Sequence, residues 1–373
     1  MILLDYHILH FMSTHNFLIY FFPFIFSLIL AIILTPLIKK LAEKFQILDE
    51  PACERKKHIK PIPLLGGLAI FLSFLITLIS VWYLGWLNDG VLKSAQIFGI
   101  IFSGLILMLG GFLDDKYNLK PWQSFLFPVL SALVAVGFGI VVKYITNPFV
   151  AGTGPYGRAL FYFDWFNLPI SLAAIFSFFW LLGMTYTTKF LDGLDGLVTG
   201  VGSIGAIILF LVSLFWDVPL SATSILCLIL AGSLLGFLKY NFYPAKIFLG
   251  EAGSTLIGFM LGTLSIISGA KIATALLVMG LPILDVVFVV IGRVISHKHF
   301  YEGDRRHLHF RLLDIGFSQK QTVFLLYFLT LLFGSSAIFL QSQYKIVAIG
   351  VLVLVMVILG VWLTVAYKKK YNV

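Results

Sequence analysis

The chain is a succession of apolar runs, each about long enough to cross the roughly 30 Å hydrocarbon core of a bilayer as a helix. They fall at about 17–38, 64–86, 95–113, 122–142, 168–187, 197–215, 220–238, 254–269, 272–295, 322–340 and 346–367. None shows the alternation of a barrel strand, and a chain in lipid must satisfy its own backbone polar groups, so the runs are predicted to be helices. The expected fold is an all-α integral membrane bundle of about eleven transmembrane helices. The run at 254–269 is short and carries glycine, which predicts an irregular end or a segment drawn into protein. Composition agrees: 60% of the 373 residues are hydrophobic, 12% are charged, and the mean hydropathy is +1.01. No polar linker or internal repeat divides the chain, so residues 1–373 read as one domain.

Charge orients the bundle. With the N-terminus outside and the C-terminus cytoplasmic, 21 of the 26 Lys and Arg residues fall on inner connections and 5 on outer ones, as the positive-inside rule requires. The expected location is the inner or plasma membrane, with many passes and the charged chemistry on the cytoplasmic face. A net charge of +9 concentrated there should attract membrane lipids and phosphate-bearing ligands. Nucleic acid is not an expected partner, because no soluble basic domain presents the charge. Cys53 and Cys227 form no readable disulfide or metal pattern. The first ten residues carry Asp5 and lack a basic start and a cleavage site, so the first segment is expected to stay in the mature chain.

The same topology puts Asp114, Asp115, Asp192, Asp195 and Glu251 on three inner connections, in the settings GGFLDDKYNL, KFLDGLDGLVTG and IFLGEAGSTLIGF. Acids crowded at a membrane boundary repel one another unless a cation or proton intervenes, which points to a divalent site. Asp192 and Asp195, three apart at the start of a helix, would share a face, with Gly193 and Gly196 leaving room for a ligand. Helix capping by Asp fits the same residues. GEAGS, residues 250–254, opens the eighth segment, where free N–H groups suit a phosphate, or is a glycine turn into a packed helix.

In DRRHLHFRL, Arg305, Arg306, His307 and His309 could donate to phosphate oxygens or line a lipid-contacting loop. Two His one residue apart face one side only on extended backbone, which predicts a loop or strand-like stretch. The first inner loop, with Arg55, Lys56, Lys57 and His58, reads as a juxtamembrane basic patch. Asp285, inside the ninth run, is an intramembrane acid of the kind that marks function by default, or else a helix-pairing group.

DEPACERKKHIKPIPLLGG, GFLDDKYNL, DGLDGL, NFYPAKIFLGEAGS, PILD and DRRHLHF, in that order from about Asp49 to Phe317, resemble the polyprenyl-phosphate N-acetylhexosamine-1-phosphate transferases of glycosyltransferase family 4. The RKxH, PILD and HLHF forms look like the branch that starts surface polysaccharides, the undecaprenyl-phosphate GlcNAc-1-phosphate transferases. The resemblance implies Mg²⁺-dependent transfer, with Mn²⁺ as an alternative. The donor would be a UDP-N-acetylhexosamine, UDP-GlcNAc first, and the acceptor a polyprenyl phosphate lipid carrier, undecaprenyl phosphate. UMP would leave, and cell-surface polysaccharide or cell-wall glycan synthesis would begin; a homodimer is consistent with the family.

The resemblance also implies roles. Asp114 and Asp115 would position or deprotonate the acceptor phosphate, Asp192 and Asp195 would line the nucleotide and metal site, and Glu251 would stand at the metal-binding acid. Phe248 would lie against uracil with Asn241 nearby. His307, His309, Arg305 and Arg306 would hold the diphosphate or sugar, with Lys56 and His58 also on substrate. The chain departs from the family pattern at Lys189 and Tyr186, where Asn is usual, at Glu251 for Asp, Leu64 for Arg and Ser124 for Lys. The loss at 124 and the gain at 189 lead to the expectation that Lys189 supplies the missing cation. Two other readings remain at this level: a transporter, whose charges should sit near the bilayer midplane, and a silent relative that binds lipid phosphate or UDP-sugar without turnover.

Overall fold

A computed structural model describes residues 14–50, 60–142, 144–146, 159–162, 172–216, 220–268, 271–295, 306–340 and 342–371. Every apolar run becomes helical. The helices are α1 Thr14–Lys44, α2 Gly66–Tyr83, α3 Ser94–Tyr117, α4 Pro121–Gly137, α5 Leu172–Leu191, α6 Leu197–Trp216 and α7 Ala222–Asn241. They continue as α8 Gly250–Ile267, α9 Ile272–Val278, α10 Gly280–Ile295, α11 Leu308–Ile315, α12 Gln319–Phe339 and α13 Ser342–Tyr371. Two small antiparallel pairs complete the described chain: β1 Leu48–Asp49 with β2 Ile62–Pro63, and β3 Tyr144–Thr146 with β4 Ala159–Tyr162.

Among the described residues eight helices are long and apolar enough to cross a membrane, or nine if α9 and α10 are one span. The structure thus supports an all-α, multi-pass membrane protein, and two of the sequence runs show why the count by length differs from about eleven. The helix α4 has only 17 residues, and α5 ends in Thr185, Thr187, Thr188 and Lys189, which lower its hydropathy. The hydroxyls of those threonines bond back to carbonyls of their own helix, so they do not ask for lipid-incompatible partners. The ninth run is not continuous: α9 and α10 meet at a 76° bend. Pro282 lacks the N–H that would bond to Val278, which interrupts the helical ladder at that break.

At the centre stands α8, with 94% of its membrane-length window buried inside the protein. The expectation that this short segment is drawn into protein holds, although its helix runs unbroken to Ile267. Several of its polar side chains bond to their own helix, as when Thr255 Oγ1 donates to Glu251 O at 2.7 Å and Ser265 Oγ to Gly262 O at 2.7 Å. Neighbouring helices approach it at glycine: Gly67 of α2 lies on Gly253, and Gly111 of α3 lies on the backbone of Ala252. A side chain at either position would occupy space already filled by main chain.

Connections gather at the two ends of the bundle. At one end Phe248 N donates to Pro63 O at 2.8 Å, Gly66 N to Phe248 O at 3.0 Å and Ala245 N to Asp195 Oδ2 at 2.9 Å. At the other, Ala222 N donates to Asp89 Oδ2 at 2.8 Å and Gln96 Nε2 to Gly139 O at 3.0 Å. Because backbone cannot yield as a flexible side chain can, Gly111→Ala is expected to destabilise the protein by about 1–3 kcal/mol, the usual cost of overpacking. Gly350, whose added Cβ would meet open space, is the control: thermal melting in detergent should show a lowered midpoint for Gly111→Ala and none for Gly350→Ala.

Candidate active site

Three helix ends bring the acids together. The last turn of α3 carries Asp114 and Asp115 and closes at Asn118, whose N–H donates to Asp114 O at 2.8 Å. Asp114 turns toward the next connection, accepting from Leu119 N at 3.0 Å and from the Ser124 hydroxyl at 2.5 Å. Asp115 turns the other way, and its Oδ1 accepts from Glu251 N at 3.0 Å. That bond caps the N-terminus of α8, where an anion also meets the positive end of the helix dipole. One of the first-turn amides that could meet a phosphate is thus occupied by Asp115. Asp115 Oδ2 is buried and has no hydrogen-bond partner among the described residues.

Lys189, from the last turn of α5, closes the arrangement. Its Nζ donates to Ser124 Oγ at 3.0 Å and lies 2.8 Å from Glu251 Oε2. The contact with Glu251 is an ion pair held by charge, not an aligned hydrogen bond, since Oε2 makes none. A chain Asp114–Ser124–Lys189–Glu251 thus ties α3, the start of α4, α5 and α8 together. It lines a cleft whose other wall includes Leu107, Phe127 and Pro128. The cation expected near position 124 is present there, delivered by a different helix.

The DGLDG stretch departs from expectation. Asp192 and Asp195 do not share a helix face, because residues 192–196 form a turn and α6 begins only at Leu197. Asp192 stays with the cluster, and its carboxyl is held above the usual carboxylate range by withdrawal from bulk water first, then by the charges of Glu251 and Asp195. Its surface still reaches solvent, so the repulsion is the part of that shift that persists. Asp195 instead gives Oδ2 to the Ala245 amide, and the Tyr327 hydroxyl of α12 donates to Gly196 O. The turn is braced from two sides.

The histidines lie beyond that turn. The strand-like stretch expected for them is a helix start instead: His307 is the extended N-cap residue of α11 and His309 is already inside the helix. The change of backbone between them still leaves the rings stacked, with centroids 5.8 Å apart and planes 8° apart, and His307 also stacks on Phe190 at 6.0 Å. His309 is fully buried, and neither ring nitrogen has a hydrogen-bond partner among the described residues. Its Nε2 abuts Gly193, where a Cβ would collide with it. Burial pushes the His309 pKa down to about 4, with nearby Asp285 opposing and His307 reinforcing the shift.

Asp285, the intramembrane acid of the ninth run, meets this helix directly. Its Oδ2 lies 2.8 Å from His307 Nδ1 and its Oδ1 accepts from Leu308 N at 2.8 Å. The signal was its charge inside an apolar run. Asn241 braces the 242–249 turn, donating to Ile247 O at 3.1 Å and accepting from Thr199 Oγ1 at 2.7 Å. Phe248 holds the same turn to Pro63 and Gly66 through its backbone, and its side chain is half-buried. Arg306 is exposed beside His307. Lys56, His58 and Arg305 lie outside the described residues.

Residues 97–269 match the family model described as glycosyl transferase family 4. The chain is 32% identical, over 86% of its length and 84% of the relative's, to the probable undecaprenyl-phosphate N-acetylglucosaminyl 1-phosphate transferase of Bacillus subtilis. It is 31% identical to the decaprenyl-phosphate N-acetylglucosaminephosphotransferase of Mycolicibacterium smegmatis, over 86% of this chain and 82% of that one. It is also 31% identical to the phospho-N-acetylmuramoyl-pentapeptide-transferase of Staphylococcus epidermidis, over 80% of this chain and 91% of that one.

A pH effect follows from His309. In the unfolded chain its ring takes a proton near its ordinary value of 6.5, whereas the fold holds it neutral down to about 4. The unfolded state therefore binds more protons between those limits, and stability falls as pH drops through that window. Lowering the pH to 5 should cost about 2 kcal/mol through this group. Melting curves in detergent at pH 7 and 5 should show that difference for the wild type and a smaller one for His309→Asn.

Proposed function

The chain belongs to glycosyl transferase family 4, and on that premise we propose that it transfers N-acetylglucosamine 1-phosphate from UDP-GlcNAc to a polyprenyl phosphate. A lipid phosphate oxygen bonds to the β-phosphorus of the donor, the bond from that phosphorus to the bridging oxygen breaks, and UMP leaves. The product would start cell-surface polysaccharide or cell-wall glycan synthesis. The observation that carries this reading is the joined row Asp114–Ser124–Lys189–Glu251 in a cleft with an apolar wall. Phosphoryl transfer asks chiefly for positioning and charge neutralisation, and such a cleft offers acids, a cation and a surface compatible with a lipid.

Each residue has a task within this reading. Asp114 and Asp115, at the end of α3, orient the acceptor phosphate or take its proton. Lys189 faces the charge that develops on the transferred phosphoryl group, a role in which its contact with Glu251 keeps it extended into the cleft. His309, neutral and fully buried behind His307 with its Nε2 against Gly193, backs the site and holds the DGLDG turn. His307 and Arg306 stand where the diphosphate could be met.

The donor set fits Mg²⁺, with Mn²⁺ as an alternative. Glu251, Asp115 and Asp192 are carboxylates, hard oxygen donors, and Asp115 Oδ2 is buried without a hydrogen-bond partner among the described residues. No three such side chains converge as a closed metal cage among the described residues; a Mg²⁺ ion would be held here by one or two of these carboxylates, with water and substrate phosphates as its other ligands. When bound, it would neutralise phosphate oxygens.

The topology completes the proposal: eleven crossings, N-terminus outside, and the site on the cytoplasmic face of the cell membrane. The distribution of 21 of 26 basic residues supports it, and labelling of introduced cysteines in sealed vesicles tests it.

Purified protein given labelled UDP-GlcNAc, a polyprenyl phosphate and Mg²⁺ should release UMP and lose that activity on chelation. Binding of the donor without release would overturn the transferase reading. Lys189→Ala should lower turnover by about 100-fold, the scale of losing one transition-state donor. The double change Lys189→Ala with Ser124→Lys, which returns an ammonium to the same cleft from α4, should recover part of it. Full turnover and unchanged donor affinity in Lys189→Ala would remove Lys189 from the mechanism.

A further inference from the structure

Asp285 has no part in the chemistry assigned above, yet it is among the most fully committed carboxylates in the molecule. It lies in α10 beyond the 76° bend and is 8% exposed. A carboxylate buried in an apolar helix is costly unless its oxygens are met. Among the described residues they are met by one segment: Oδ2 by His307 Nδ1 and Oδ1 by Leu308 N, both at 2.8 Å.

The two bonds do different work. A carboxylate has no proton to give, so the hydrogen between Oδ2 and the ring belongs to His307 Nδ1. That choice leaves Nε2 as the nitrogen turned to other partners: an acceptor when the ring is neutral and a donor when it is charged. The second bond satisfies an N–H of the first turn of α11, a group that has no partner within its own helix. His307 itself supplies no side-chain cap there, so Asp285 acts as the cap from another helix.

The consequences spread from the ring. His307 is stacked between Phe190, which adjoins Lys189, and His309, whose Nε2 lies against Gly193 of the DGLDG turn. An acid serving only to pair helices would not need to select one nitrogen of a histidine and the first amide of its helix together.

We infer that Asp285 is a positioning residue of the transfer reaction: it sets the Nδ1–H tautomer of His307 and the start of α11, and so presents His307 Nε2 and the His309 ring in one orientation. The kinetic consequence rests on the transferase reading above; the tautomer does not.

Two measurements separate these. In the full-length protein in micelles, ¹⁵N-histidine spectra should show neutral His307 with its hydrogen on Nδ1, the resonance being identified by its loss in His307→Ala. Asp285→Asn should lose that tautomer preference. A wild-type His307 protonated on Nε2, or an unchanged tautomer in Asp285→Asn, overturns the inference without any assay of turnover. In the transfer assay, Asp285→Asn should reduce kcat by about 10- to 100-fold and leave the donor KM within about twofold. Added to His307→Ala, the same change should cost almost nothing further, because it acts through the ring already removed. Losses that multiply in the double variant would mean that Asp285 acts elsewhere. If the wild type releases no UMP, the transferase reading fails, and the tautomer spectra still decide the role of Asp285.

Discussion

The bond from Glu251 N to Asp115 Oδ1 is the contact on which the site depends. It docks the C-terminal end of one membrane helix against the N-terminal end of another. This requires their backbones to approach more closely than side chains allow, hence Gly111 of α3 on Ala252, and α2 reaches the same helix in the same way through Gly67 on Gly253. The bond gives α8 a cap, places Glu251 in the cleft, and leaves the second Asp115 oxygen buried without a hydrogen-bond partner among the described residues. A helix end so deep in protein would otherwise carry unsatisfied donors.

Around that contact the charges are arranged by geometry more than by sequence neighbourhood. Asp114, Asp115, Asp192 and Glu251 come from three connections, and Lys189 reaches them from the end of α5. Like charges at such range would drive the helix ends apart; the ammonium against Glu251, and a cation where oxygens remain free, make the cluster tenable. The second layer, Asp285 with His307 and His309, is neutral at His309 and shielded from solvent. The two layers meet at the DGLDG turn, which faces the acids through Asp192 and the histidines through Gly193.

Much of this was legible in the chain. Alternation of apolar runs with basic connections announced a multi-pass helical bundle, and the acids in glycine-bearing settings lie at helix ends that the fold brings together. Other features were not legible, for identifiable reasons. Spacing of three suggested a shared face for Asp192 and Asp195, but that rule holds only inside a helix, and the helix starts after Gly196. Spacing of two suggested an extended backbone for His307 and His309, whereas a helix boundary falls between them. Asp285 was visible as an intramembrane acid, but its partner lies 22 residues away, across residues whose path local pattern does not describe.

The sequence by itself determined that the chain lives in lipid as helices, because hydropathy and the need to satisfy backbone groups are properties of each segment alone. It also determined which residue types the site could draw upon, and, through the resemblance, the family. Only the tertiary structure decided which of them meet: that Lys189 stands beside Ser124, that Asp195 and Asn241 brace backbone, and that Asp285 holds a histidine. Those pairings follow from how closely separate helices pack and where each one ends, and no single segment contains that information.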